Sequence, residues 1–142
     1  MPLDRFKREI DYLRISLTDH CNLRCVYCMS LSDVDYAPPA ESLTPEEVER
    51  VVQAAASIGF RKVRLTGGEP TLRPDLVDIV RRVASVPGIE DVAMTTNGIL
   101  LSRMAVTLRR AGLRRVNIHV DTFDPERPVS YTHLTLPTKR IV

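Results

Sequence analysis

Between Tyr12 and Val120 the spacing of apolar residues switches back and forth between every second position and helical spacing, and few folds accommodate such switching. Residues 12–18, 62–66, 91–95 and 115–120 read as strands, rich in β-branched or aliphatic side chains and each running into a polar loop. Three helical segments separate them. The first opens at Thr44-Pro45-Glu46-Glu47, where a capping threonine, a proline at the first helical position and a glutamate three residues past the cap suit the unpaired amides of a helix start. It ends near Gly59, and Val48, Val51, Val52, Ala55 and Ile58 form its apolar stripe. The second carries Leu76, Ile79, Val80 and Val83 and leads into a Pro87-Gly88 turn. The third is expected to be capped by Ser102, to turn Met104, Ala105, Leu108 and Ala111 inward and to stop at Gly112. The order β-α-β-α-β-α-β predicts an α/β fold of parallel strands joined by right-handed crossovers.

Parallel strands covered by helices on both faces read as near-continuous apolar runs, and these do not. Leu13, Ile15 and Leu17 alternate with Arg14, Ser16 and Thr18; Val63 and Leu65 with Lys62, Arg64 and Thr66; Val116, Ile118 and Val120 with Asn117, His119 and Asp121. One face is therefore consistently polar. A barrel lined by polar groups around a charged ligand explains this, and a sheet with one face in water is the alternative.

Composition narrows the class. With 44% hydrophobic and 27% charged residues and a net charge of +2, the chain reads as globular and calls for neither nucleic acid nor a membrane as partner. Residues 1–12 mix charges with single apolar side chains and lack the run of a signal peptide or spanning helix, so the default location is cytoplasmic. At 142 residues the chain is well short of a complete barrel enzyme, which points to a fragment.

All three cysteines, Cys21, Cys25 and Cys28, fall within eight consecutive residues directly after the first strand, a poor plan for disulfides and a good one for metal. Most [4Fe-4S] clusters take four cysteines, so three would leave one iron open to an exogenous ligand. A closed zinc site completed by His20 or His119 is the competing reading. His20, next to Cys21, is poorly placed to join the same loop and is expected in solvent.

The Cys-x-x-x-Cys-x-x-Cys pattern with Tyr27 before its third cysteine resembles the signature of the radical S-adenosylmethionine (SAM) superfamily, with Gly67-Gly68-Glu69-Pro70 as its partner motif. Residues 11–19, 64–70, 95–98 and 121–127 are similar, in order, to the GTP 3',8-cyclase family of molybdenum cofactor biosynthesis, over about residues 3–127. The resemblance implies an incomplete (β/α)6 barrel, here truncated to its first four strands and three helices, and a lyase that converts GTP to (8S)-3',8-cyclo-7,8-dihydroguanosine 5'-triphosphate. It implies a [4Fe-4S] cluster on Cys21, Cys25 and Cys28 whose open iron binds SAM, and a reductase, flavodoxin or ferredoxin as electron donor. By the same resemblance Tyr27, Gly68, Glu69 and His119 attend SAM, while Arg14, Lys62, Arg64 and Thr95 attend GTP. Asn97 and Gly98 suit a turn and are pocket candidates.

Departures from the family are instructive. His119 stands where a serine is usual, Ser30 where a proline follows the cysteine loop, and Lys7 where a small residue precedes it. Residues 128–142 contain no acidic residue and no helical pattern, and read as unrelated sequence joined to a truncated or read-through frame after a barrel portion at 1–127. The family's second, C-terminal [4Fe-4S] cluster is missing from the chain, so the expectation is a labile cluster, association through open strand edges and no cyclised product.

Overall fold

The structure, a computed structural model, describes residues 2–23, 25, 28 and 42–120. Its elements run β1 (Tyr12–Ser16), α1 (Pro45–Ser57), β2 (Lys62–Thr66), a short 3-10 turn (Pro70–Leu72), α2 (Leu76–Ser85), β3 (Asp91–Thr96), α3 (Leu101–Ala111) and β4 (Arg115–Ile118). The four strands form one parallel sheet in the order β1-β2-β3-β4. A sheet whose parallel neighbours are also neighbours in sequence, each pair joined through a helix, is the arc of a βα barrel.

Register explains the alternation seen in the sequence. Leu13, Val63 and Val92 lie side by side, as do Ile15, Leu65, Met94 and Val116. All of these except Val116, which is exposed on the edge strand, share a core with Val48 and Val52 of α1, Leu76, Ile79, Val80 and Val83 of α2, and Leu108 of α3, so all three helices cover one face. The opposite face carries Tyr12 beside Lys62 and Asp91, then Arg14 beside Arg64, Ala93 and Arg115, then Thr95 beside Asn117. No described helix covers it, and this one-sided covering is the physical reason for the alternation in the sequence.

Helix starts and stops follow local chemistry. The Glu47 amide donates to Thr44 Oγ1 at 3.2 Å and the Thr44 amide to Glu47 Oε2 at 2.8 Å, the reciprocal cap read from the sequence. The third helix departs from expectation: it begins at Leu101 after Leu100, with no side-chain cap, and Ser102 sits inside it. Its end is as expected, with Gly112 at φ 114° and its Cα hydrogen directed at the Ala84 side chain, where a Cβ would overlap. The apolar stripes are narrower than expected: Val51 and Ile58 of the first are exposed, and so is Ala105 of the third. α2 lies between α1 and α3 and buries four side chains, whereas α1 and α3 each have a flank that no described element covers.

Arg73 fastens the helical layer to the sheet. Its guanidinium donates to the Leu17 carbonyl at 3.0 Å and the Leu43 carbonyl at 2.9 Å, and grips Asp75 through Nε at 2.8 Å and Nη2 at 2.5 Å. That grip holds the Asp75 carboxyl below its ordinary value of 3.8. A depressed carboxyl stabilises the fold above its unfolded pKa, and the contribution disappears as pH falls through the lowered folded value.

Two outcomes follow for stability. Leu65→Ala, at a fully buried position, is expected to lower the unfolding free energy by about 2–5 kcal/mol in urea titrations, while Val51→Ala on the exposed flank stays within about 0.5 kcal/mol. Arg73→Met is expected to flatten the loss of stability seen on acidifying below pH 3.8, measured by denaturation across an acid series; an unchanged acid profile would show that the pair does not contribute.

Candidate cofactor site

Parallel strands put their C-terminal ends on one edge, so the loops after β1, β2 and β3 and the start of the segment after β4 meet there. Leu17 extends the β1 ladder by donating to the Thr66 carbonyl at 2.8 Å. The chain then turns into the cysteine loop, and the loop after β2 clasps it: the Gly68 amide donates to the Thr18 carbonyl at 2.6 Å and the Glu69 amide to the His20 carbonyl at 2.7 Å. The approach is so close that a Cβ on Gly67 would overlap the Thr18 carbonyl, and one on Gly68 the carbonyls of Asp19 and His20. Glycine is required here for backbone contact as well as for the turn.

Glu69 is buried, 1% exposed, and gathers four neutral donors. Oε1 accepts from the Thr71 amide at 3.1 Å, the Thr71 hydroxyl at 2.5 Å and the Thr96 hydroxyl at 2.6 Å; Oε2 accepts from the Asn97 amide at 2.8 Å. A side-chain carboxylate thereby caps the 3-10 turn and ties the loop after β2 to the end of β3. Asn97 in turn donates through Nδ2 to Asn22 Oδ1 at 2.7 Å, which reaches into the cysteine loop.

Within that loop Cys21 and Cys25 are half-buried and Cys28 is exposed. The Leu23 amide donates to Cys21 Sγ at 3.4 Å, and the Cys28 amide to the Cys25 carbonyl at 2.9 Å, a turn that keeps the second and third cysteines adjacent. Among the described residues no three His, Cys, Asp or Glu side chains gather around one metal position. The fit to an iron-sulfur cluster rests instead on donor chemistry: three thiols on one short loop, with a backbone N–H already directed at a sulfur, which is how proteins hold and tune such clusters.

The remaining site candidates divide. Arg14 and Arg64 stand side by side on the polar face, and the Arg64 guanidinium lies 5.4 Å from the centre of the Tyr12 ring. Among the described residues no hydrogen-bond acceptor meets the buried Arg64 Nε, and no carboxylate pairs with Arg14 or Arg64. Lys62 sits at the opposite, N-terminal end of its strand, bound to Asp11 at 2.8 Å, a contact that holds the Asp11 carboxyl below its usual range. Thr95 lies on the polar face beside Asn117, in the row closest to the loops. His119 is exposed and its amide donates to the Thr96 carbonyl at 2.9 Å, prolonging β4 along β3. His20 contacts Asp19 Oδ1 through Nδ1 at 2.8 Å. Tyr27, residues 121–127 and the segment 128–142 lie outside the described residues.

Thr96 and Asn22 escaped sequence reasoning. Thr96 falls one residue past the strand read at 91–95, and Asn22 has no local signal beyond its place between cysteines. Asn97 does make the expected turn, accepting from the Ile99 amide at 3.1 Å, but is also the link between loops.

A one-sided parallel α/β arc with a three-cysteine loop clasped at its C-terminal edge defines a metallocofactor-binding barrel unit. The Radical SAM superfamily model matches residues 15–141, and the chain belongs to that superfamily. It is 54% identical over 129 residues to the GTP 3',8-cyclase of Pelotomaculum thermopropionicum, covering 91% of this chain and 40% of the relative. With the GTP 3',8-cyclase of Heliobacterium modesticaldum it shares 54% over 125 residues, 88% of this chain and 38% of that one. The chain thus spans about two fifths of the length of these curated relatives. Streptococcus suis SuiB bound to S-adenosylmethionine has the same fold over 86% of this chain and 28% of its own, with a TM-score of 0.70 and 21% identity. Membership brings the superfamily's cofactors, a [4Fe-4S] cluster and SAM. No described helix is long and apolar enough to cross a membrane.

Glu69→Gln tests the knot of donors. Whichever way the amide is turned, its NH2 faces a backbone N–H, that of Thr71 or that of Asn97. The expected cost is about 1–3 kcal/mol in denaturant titrations, and a variant as stable as the parent would show that the carboxylate does not brace the loops.

Proposed function

We propose that the chain carries the SAM-cleaving part of a GTP 3',8-cyclase, with the barrel portion at residues 1–127 and residues 128–142 apart from it. Support comes from one combination: a three-thiol loop clasped by Gly68 and Glu69 at the rim of a polar sheet face, in a chain 54% identical over 129 residues to such a cyclase. When bound, the cluster and SAM supply reductive cleavage of the sulfonium and so a hydrogen-abstracting radical.

The chain's own residues bind and orient. Cys21, Cys25 and Cys28 would hold three irons and leave the fourth for SAM, with the Leu23 amide supporting one sulfur. Gly68 and Tyr27 would lie along SAM, and Glu69 keeps the loop after β2 pressed on the cysteine loop. His119 would take the family serine's place at SAM.

For GTP, Arg14 and Arg64 offer adjacent cations on the polar face, and the buried Arg64 Nε has a hydrogen still to donate, which a phosphate oxygen would accept. Thr95 would line the same pocket nearer the loops. Lys62 would reach GTP by leaving Asp11. A cytoplasmic flavodoxin, ferredoxin or reductase would supply the electron, since the thiols require a reducing compartment.

Anaerobic reconstitution with iron and sulfide is the test. The expected result is a broad cluster absorption and a reduced-state EPR signal that shifts on adding SAM, both lost in Cys21→Ala, Cys25→Ala and Cys28→Ala. Stoichiometric zinc in place of a cluster, or a cluster signal indifferent to SAM, would overturn the reading.

A further inference from the structure

We infer that the Asn22–Asn97 hydrogen bond is a latch that sets the position of the cysteine loop, making Asn22 a positioning residue for the cluster; the inference rests on the cluster reading above. The bond joins residues 75 apart in sequence, Asn97 Nδ2 donating to Asn22 Oδ1 at 2.7 Å in a part-buried setting.

Asn97 is a fixed post. Its amide donates to the buried Glu69 carboxylate at 2.8 Å, and its Oδ1 accepts from the Ile99 amide at 3.1 Å. Because Oδ1 is occupied by an N–H, the NH2 end of the side chain must point the other way, toward Asn22. Glu69 is itself locked by Thr71 and Thr96. The post is therefore anchored in the end of β3 and the loop after β2.

Asn22 occupies the peptide between Cys21 and Leu23, whose amide donates to Cys21 Sγ. Upstream, the loop is held by the backbone clasps at Thr18 and His20. The latch is a further hold, one residue past the first cysteine, and it bears on the peptides that aim both that sulfur and its N–H partner. A group that orients a ligand without touching the metal still governs how tightly the metal is kept.

The latch asks Asn22 for an acceptor and nothing more. Asn22→Asp preserves that acceptor; Asn22→Leu keeps the side chain's size and removes it. The test uses the full chain, reconstituted anaerobically, with iron release to a chelator followed over time and thermal melting recorded in the iron-free state. Asn22→Leu is expected to lose iron roughly 10-fold or more faster than the parent, while Asn22→Asp keeps the parent rate. All three are expected to melt together, because Asn22 is half-buried at the loop edge of the sheet rather than packed between the sheet and the helices. Iron release from Asn22→Leu at the parent rate, or from Asn22→Asp as fast as from Asn22→Leu, overturns the latch. Early melting of iron-free Asn22→Leu alone overturns it too, by assigning the residue to the fold. A parent protein that takes up no cluster fails the underlying reading instead, and the latch falls with it.

Discussion

A carboxylate buried at the edge of a parallel sheet organises this molecule's loops. Glu69 would be costly to hide alone; it is tolerated because Thr71, Thr96 and Asn97 present four donors to it. Through its own amide it holds the His20 carbonyl, and through Asn97 it reaches Asn22. Three separate loops thereby become one surface. The cysteines ride on the first of these loops, next to the His20 and Asn22 groups that the knot holds.

The knot can sit where it does because the sheet is one-sided. Covering a single face with α1, α2 and α3 gives the valine and leucine rows a dry core and leaves the other face to polar side chains. On that face Lys62 and Arg115 already have carboxylate partners, Asp11 and Asp91, and those contacts lie toward the N-terminal end of the strands. Arg14 and Arg64 lie further along the strands toward the loops, and among the described residues no carboxylate pairs with either. The cation pair arises from strand register rather than from total charge, which is only +2.

Much of the fold was legible locally. Alternation marked the strands to within a residue or two, the Thr44–Glu47 pair marked a helix start, and Gly112 a helix end. The errors also have local causes. Ser102 looked like a cap because serine favours that role, yet the helix begins a residue earlier, without a side-chain cap. Val51, Ile58 and Ala105 fit helical spacing but fall on flanks that no described element covers, and periodicity cannot tell a covered flank from an open one.

By itself the sequence determined the element types, their order, the polar and apolar faces and the clustering of three thiols after the first strand, because each depends on residues a few positions apart. Only the tertiary structure decided which distant groups meet: Glu69 with Thr96 and Asn97, Asn97 with Asn22, Lys62 with Asp11. Such pairings depend on strand register and on how closely loops approach, and a shift of one residue would send every side chain to the other face. That is why the glycines of the second loop could be read as a turn from the sequence, while their contact with the cysteine loop became visible only in the folded chain.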